Sequence, residues 1–221
     1  MVRIDGMAAG GHWWTAVAAL TLLALAGCES FLPKFGGPPP NLYTLTPKST
    51  FAEDLPTVTW QLVVEEPVAS GGLNTDRIAL RDSPTEVDYF ARARWTERAP
   101  RMVQTLLVES FENSKRIVAV GRQAIGLRSD YNLKTELREF QAEYFEAGGL
   151  PSARVRLNAK LVKQPKRAIV ASHTFQAVVK AKGSDMSHII KAFDGALGKV
   201  LRDIVEWSLR RPSEPTGKGK G

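Results

Sequence analysis

The sequence predicts a single α+β domain, a mixed or mostly antiparallel sheet covered on one face by two helices. Three patterns point there. Short β-branched and aromatic runs, closed by proline or glycine, fill the chain from Asn41 to Phe90. Long apolar–polar alternations follow between Tyr131 and Val179. Two stretches, Trp95 to Phe111 and Met186 to Trp207, switch to apolar spacings of three and four.

The domain is preceded by an apolar run from Ala16 to Ala26 that closes on Leu25-Ala26-Gly27-Cys28, and Cys28 is the only cysteine. A short hydrophobic segment ending in small residues has the form of a secretory signal peptide. The Leu-Ala-Gly-Cys ending resembles a bacterial lipobox, in which the thiol is acylated and the chain is cut before the cysteine. Thioether formation needs a nucleophilic sulfur, and the small Ala26 and Gly27 leave a peptidase room at the bond. Residues 1–27 are therefore expected to be a lipoprotein signal peptide, with Cys28 as the lipidation site. Two other readings stay open. The segment is an uncleaved membrane anchor in one, although its strongly apolar part begins only near Trp13, short of the roughly 20 residues a spanning helix needs. Cys28 is a buried apolar residue in the other. The start is open between Met1 and Met7. With Cys28 acylated no thiol remains for a disulfide, so the domain must stand on packing alone.

Residues 28–40 are rich in Pro and Gly and read as a lipidated, semi-extended tether. The domain is expected over 41–211, in the order β-β-β-β-α-β-β-β-β-α. Asn41 to Leu45 is a short strand, and Val58 to Glu65 a longer one stopped by Pro67. Gly71-Gly72 turns the chain into Arg77–Arg81, and Asp82-Ser83-Pro84 turns it into Glu86–Phe90. The first helix is expected from Trp95 to Phe111, with Pro100 making its first turn irregular or delaying it. Ile117 to Val120 is a strand ended by Gly121. Tyr131, Leu133, Thr135 and Leu137 face one way, and then Phe140, Ala142 and Tyr144 do, which places a bulge near Glu139. Gly148-Gly149 and Gln164-Pro165-Lys166 turn this strand into two more, completing a meander with one polar face. Ser184 or Asp185 caps the second helix, whose stripe runs from Met186 to about Arg210, where Pro212 stops it. Residues 212–221 are expected to be a disordered tail.

Motifs for chemistry are missing. The glycine pairs lack the strand–glycine–helix context of a phosphate loop. No histidine pair has metal spacing, and no Gly-x-Ser-x-Gly elbow occurs. His173, on the apolar side of its strand, and His188, early in the last helix, read as structural residues. No catalytic residue, metal ligand or cofactor is expected beyond the covalent lipid on Cys28. The net charge is +7, which suits an anionic membrane surface or simple solubility. Basic residues gather at Arg92, Arg94, Arg98 and Arg101, and again at Arg154, Arg156, Lys160, Lys163 and Lys166-Arg167. The aromatic residues lie mostly on the opposite faces, so a nucleic-acid platform is not expected and a solvated polar face is.

Several pieces recur in order: Cys28, Asn41-Leu42-Tyr43-Thr44-Leu45, Leu73 to Arg81, Val87-Asp88-Tyr89-Phe90, Arg94-Trp95 and Ala192-Phe193-Asp194-Gly195-Ala196-Leu197. In this order and spacing the chain resembles the ABC-type transport auxiliary lipoprotein family of the PqiC type. The resemblance implies a non-enzymatic, lipid-anchored periplasmic accessory. Its implied partners are an MCE-domain protein and an ABC permease and ATPase, in a system moving phospholipid or other hydrophobic molecules between membranes. Only Cys28 carries over as a residue of known chemistry; Tyr89 and Trp95 match the pattern and are read first as core residues. Glu29 follows Cys28, and the outer membrane is expected over the inner. A docking module would use Arg94, Trp95, Arg98 and Arg101 at the junction of strand and helix. Self-association through sheet edges, a lipid carrier with an apolar pocket and a periplasmic enzyme with an unrecognised site all stay open.

Overall fold

A computed structural model describes residues 38–122, 129–145 and 149–211. The predicted signal peptide, Cys28, the tether through Gly37, Gly148 and the 212–221 tail lie outside them. In chain order the elements are β1 (Asn41–Tyr43), β2 (Val58–Val64), β3 (Val68–Ala69), β4 (Arg77–Arg81), β5 (Asp88–Trp95), α1 (Ala99–Ser114), β6 (Ile117–Arg122), β7 (Tyr131–Glu143), β8 (Ser152–Lys163), β9 (Ala168–Lys180) and α2 (Met186–Leu209).

The sheet is built on β7. Along one edge β7 pairs antiparallel with the full length of β8, and β8 pairs likewise with β9. Along the other edge three short strands share it, all parallel. β2 lies against Tyr131–Leu133, β3 against Glu136–Leu137 and β4 against Gln141–Glu143. The sheet then forks: β6 extends β2, while β5 and then β1 extend β4. The fork follows from the sequence. Pro67, Gly71-Gly72 and Pro84 break the segment between Val58 and Trp95, so no strand there can match the length of β7. The slip in phase along β7 is a bulge at the expected place, since the register against β8 shifts between Leu137 and Glu139.

Both helices cover one face and touch each other; α1 lies on β2 and β6, and α2 on β8 and β9. α2 matches its expected span, with Asp185 as N-cap accepting from the His188 N–H. Gly183 lets the chain pass close by: a Cβ there would stand 2.7 Å from His188 Nδ1. The aromatic centre of the core is Trp95, Phe140 and Phe193, with ring centroids 5.2–5.4 Å apart. Each side chain of this size contributes about 1.5–3 kcal/mol by leaving water.

Three expectations are corrected. Trp95 does not open the first helix. It ends β5, held between β1 and β4, and α1 begins at Ala99, with Pro100 in its first turn. Gly121 lies inside β6 and does not end it. β3 is a further strand, which makes five strands before α1.

Candidate functional site

The junction between β5 and α1 places the four residues expected at a docking surface. Alternation along β5 sends neighbours opposite ways: Ala93 and Trp95 point into the core, Arg92 and Arg94 outward. Trp95 is 1% exposed, so its ring is closed to any partner. The three arginines stay at the surface, with side chains 40% (Arg94), 46% (Arg98) and 59% (Arg101) exposed.

Each arginine has an acidic neighbour. Arg94 Nη1 donates to Asp76 Oδ1 at 3.0 Å. Arg98, the residue capping α1, donates through Nη2 to Glu66 Oε1 at 2.7 Å and through Nη1 to Asn74. Arg101 meets Glu97 one turn earlier at 3.3 Å. Asp76 also accepts the Trp95 N–H at its carbonyl, 2.7 Å away, which fixes the junction to the 71–76 turn. The result is a surface of alternating sign, in which each of the three arginine side chains is at least 40% exposed. Protein interfaces use complementary charge patterns for specificity.

Tyr89 has a different role from the core one expected. It is half-buried, its hydroxyl donates to the Gly72 carbonyl at 3.1 Å, and the Arg77 guanidinium lies 3.7 Å from its ring centre. It clamps the 71–74 turn beside the arginines. His173 lies on the helix side of β9 but is exposed, because β9 is an outer strand there; its ring meets Phe175 edge-on at 4.7 Å.

The polar sheet face is a ladder of ion pairs. Arg154 meets Glu143 at 2.8 Å, Arg156 meets Glu139 at 3.1 Å, Arg138 meets Glu136 at 2.8 Å and Lys134 meets Glu65 at 3.0 Å. Two open clefts of ≈ 1190 and ≈ 760 Å³ flank the turn between β8 and β9. Sequence reasoning missed both. The Lys166-Arg167 pair was the available signal, but the clefts also need Gln61, Trp60 and Arg211 from distant parts of the chain.

Groups with displaced pKa values stand apart from the clefts. The hydrogen bond from Arg210 holds the Asp54 carboxyl low. Ser187 and then His188 hold Asp185 well below the usual carboxylate range. Burial, and then Asp82, pushes the Tyr144 phenol up. Among the described residues no group of three or more His, Cys, Asp or Glu side chains is placed to hold a metal ion.

The family model for the ABC-type transport auxiliary lipoprotein component matches residues 43–205, from the end of β1 to the last turns of α2. The chain belongs to that family. Among solved structures, protein XCC0632 from Xanthomonas campestris is 34% identical, with a TM-score of 0.72, over 76% of this chain and 94% of that one. A second crystal structure, of an uncharacterized protein, has a TM-score of 0.62 at 15% identity over 77% of this chain and 99% of that one, a likeness of fold alone. An uncharacterized protein of Bradyrhizobium diazoefficiens is 26% identical over 190 residues. That alignment takes in 84% of this chain and 49% of the relative, so the chain spans about half the length of the relative it matches. Within the auxiliary lipoprotein domain, the last of the pieces that carried the resemblance is structural: Phe193 fills the core, and Asp194 accepts the Thr46 N–H at 2.7 Å.

Proposed function

We propose that the protein is a non-enzymatic, lipid-anchored periplasmic accessory of an ABC transport system with an MCE-domain partner. The system moves phospholipid or other hydrophobic molecules between membranes. The observation that carries this reading is the family match over residues 43–205. Cys28 holds the lipid, and the domain stands at the periplasmic face of the outer membrane. Its partners are the MCE-domain protein and the ABC permease and ATPase, met through the arginines of the β5–α1 junction.

Docking is favoured over carriage of a lipid by what fills the domain. The helix side of the sheet is taken up by the aromatic trio and the stripes of both helices. The two clefts are open at the surface and are lined by lysine, arginine, glutamine and aspartate as well as apolar groups, with Trp60, Tyr131 and Leu161 of the core's edge in the second. A lipid carrier needs a mostly apolar site that encloses its ligand.

The tagged full chain, purified from its own membranes, should bring down the MCE-domain protein together with the permease and ATPase. Recovery of none of them would count against the reading. The anchor has its own test. Cys28→Ser should lose incorporation of a fatty-acid probe, because a hydroxyl is a far weaker nucleophile than a thiolate. The labelled wild type should fractionate with outer membrane. Equal labelling of the variant would remove the lipid anchor, and labelled protein found only with inner membrane would move it.

A further inference from the structure

The turn between β8 and β9 exposes an unbroken run, Pro165-Lys166-Arg167-Ala168-Ile169-Val170. Ile169 is 60% exposed and Val170 45%, two adjacent aliphatic side chains left at the surface beside Lys166 and Arg167. The register against β8 shifts here, pairing Val162 with Ile169 and Leu161 with Ala171, so Val170 is an extra residue in the strand. Arg167 takes a left-handed conformation, φ 54°, which closes the turn and sends the chain back.

The run forms a ridge between the two clefts, because Pro165 and Ile169 line both. The clefts together are lined by six basic residues and two acidic ones. Glu65 meets Lys134 at 3.0 Å, so that pair cancels, and Asp130 accepts the Gln61 N–H at 2.8 Å; the excess of basic over acidic residues remains. Arg211 closes one side, with its guanidinium 5.4 Å from the Trp207 ring centre. The tip therefore joins exposed aliphatic groups to a rim of positive charge.

We propose that this tip is a second, lipid-independent membrane contact, which lays Ile169 and Val170 into the interface of an anionic phospholipid bilayer while Lys166, Arg167 and Arg211 meet headgroup phosphates. The combination selects a bilayer over other anions. A soluble polyanion would use the cations and leave Ile169 and Val170 in water, whereas a bilayer interface takes both. The contact needs no transport partner, so its failure would leave the docking reading standing.

The test uses the full chain with Cys28→Ser, so that Ile169→Cys is its one thiol, labelled with a polarity-sensitive dye. Vesicles of phosphatidylglycerol with phosphatidylcholine should shift the emission to the blue. Vesicles of phosphatidylcholine alone, and soluble dextran sulfate, should not. The dye reports the tip itself, and the N-terminal segment is the same in the parent and in the double variant, so the difference between them belongs to the tip. Each basic residue near such a surface is worth about fivefold in partitioning. Lys166→Gln with Arg167→Gln should thus raise the lipid concentration at half-shift about 25-fold, with unchanged circular dichroism. An equal shift with neutral vesicles, a shift with dextran sulfate, or a double variant that inserts as well as the parent would overturn the proposal. No shift with anionic vesicles would overturn it too, and would assign the tip to a protein partner.

Discussion

Two adjacent residues, Arg94 and Trp95, have opposite fates because a strand alternates its faces. Trp95 meets Phe140 at 5.4 Å and Phe193 at 5.3 Å, while Arg94 reaches Asp76 at the surface. The energies differ accordingly. Trp95→Ala leaves a large cavity among rigid rings and should destabilise the domain by about 3–5 kcal/mol. An exposed ion pair contributes about 0.2–1 kcal/mol, so Arg94→Ala should cost far less. Urea unfolding of both variants checks this; similar losses would mean that the tryptophan is not the centre of the core. The residue-level reading was right where it took Trp95 as a core aromatic and mistaken where it counted its ring toward a docking patch. The sequence shows that arginines and a tryptophan are neighbours. It does not show that β1 and β4 flank β5 and fix which of them turns inward.

At the scale of elements, legibility followed length. The stripe of α2 and the alternation of β7 to β9 are long enough to define their own period, and the bulge near Glu139 was readable as a change of phase. β3 has two residues and exists only because β7 offers an edge to Val68 and Ala69. The β5–α1 boundary was misplaced because Trp95 and Ala99 share helical spacing with Met102 and Val103, while pairing to β1 and β4 extends the strand. The cap of α2 was readable, and its chemistry gives a pH prediction. Asp185 accepts from the Ser187 hydroxyl and the His188 N–H and meets the His188 ring, which holds its carboxyl well below the ordinary 3.8. A folded-state pKa below the unfolded one stabilises above the unfolded value and loses its effect as pH falls through the folded one. The stability gap between wild type and Asp185→Ala should therefore shrink as pH drops below 3.8. Urea midpoints taken across an acid series measure it, and a gap that widens with acid would contradict the cap's role.

At the scale of the whole molecule, the forked sheet separates three surfaces. The helix side is spent on the core. The polar face is laced by the ion pairs of β7 and β8. What remains is one end, which carries the β8–β9 turn between its clefts, and the β5–α1 junction with its arginines, which lies beside the start of β4, where Arg94 pairs with Arg77. The end with the turn was half legible, since Lys166-Arg167 stood out in sequence but the clefts draw on Trp60, Gln61 and Arg211, which only folding brings there. The central claim is that the junction docks a transport partner. Arg94→Ala, Arg98→Ala and Arg101→Ala together remove three surface guanidiniums and leave the buried Trp95 in place. The direct measurement is capture of the MCE-domain protein by the full chain, wild type against the triple variant, across a salt series with folding checked by circular dichroism. Capture by the wild type should be strong at low salt and fall as salt screens the patch, and the triple variant should capture weakly throughout. Equal capture by the folded variant at low salt would contradict the claim.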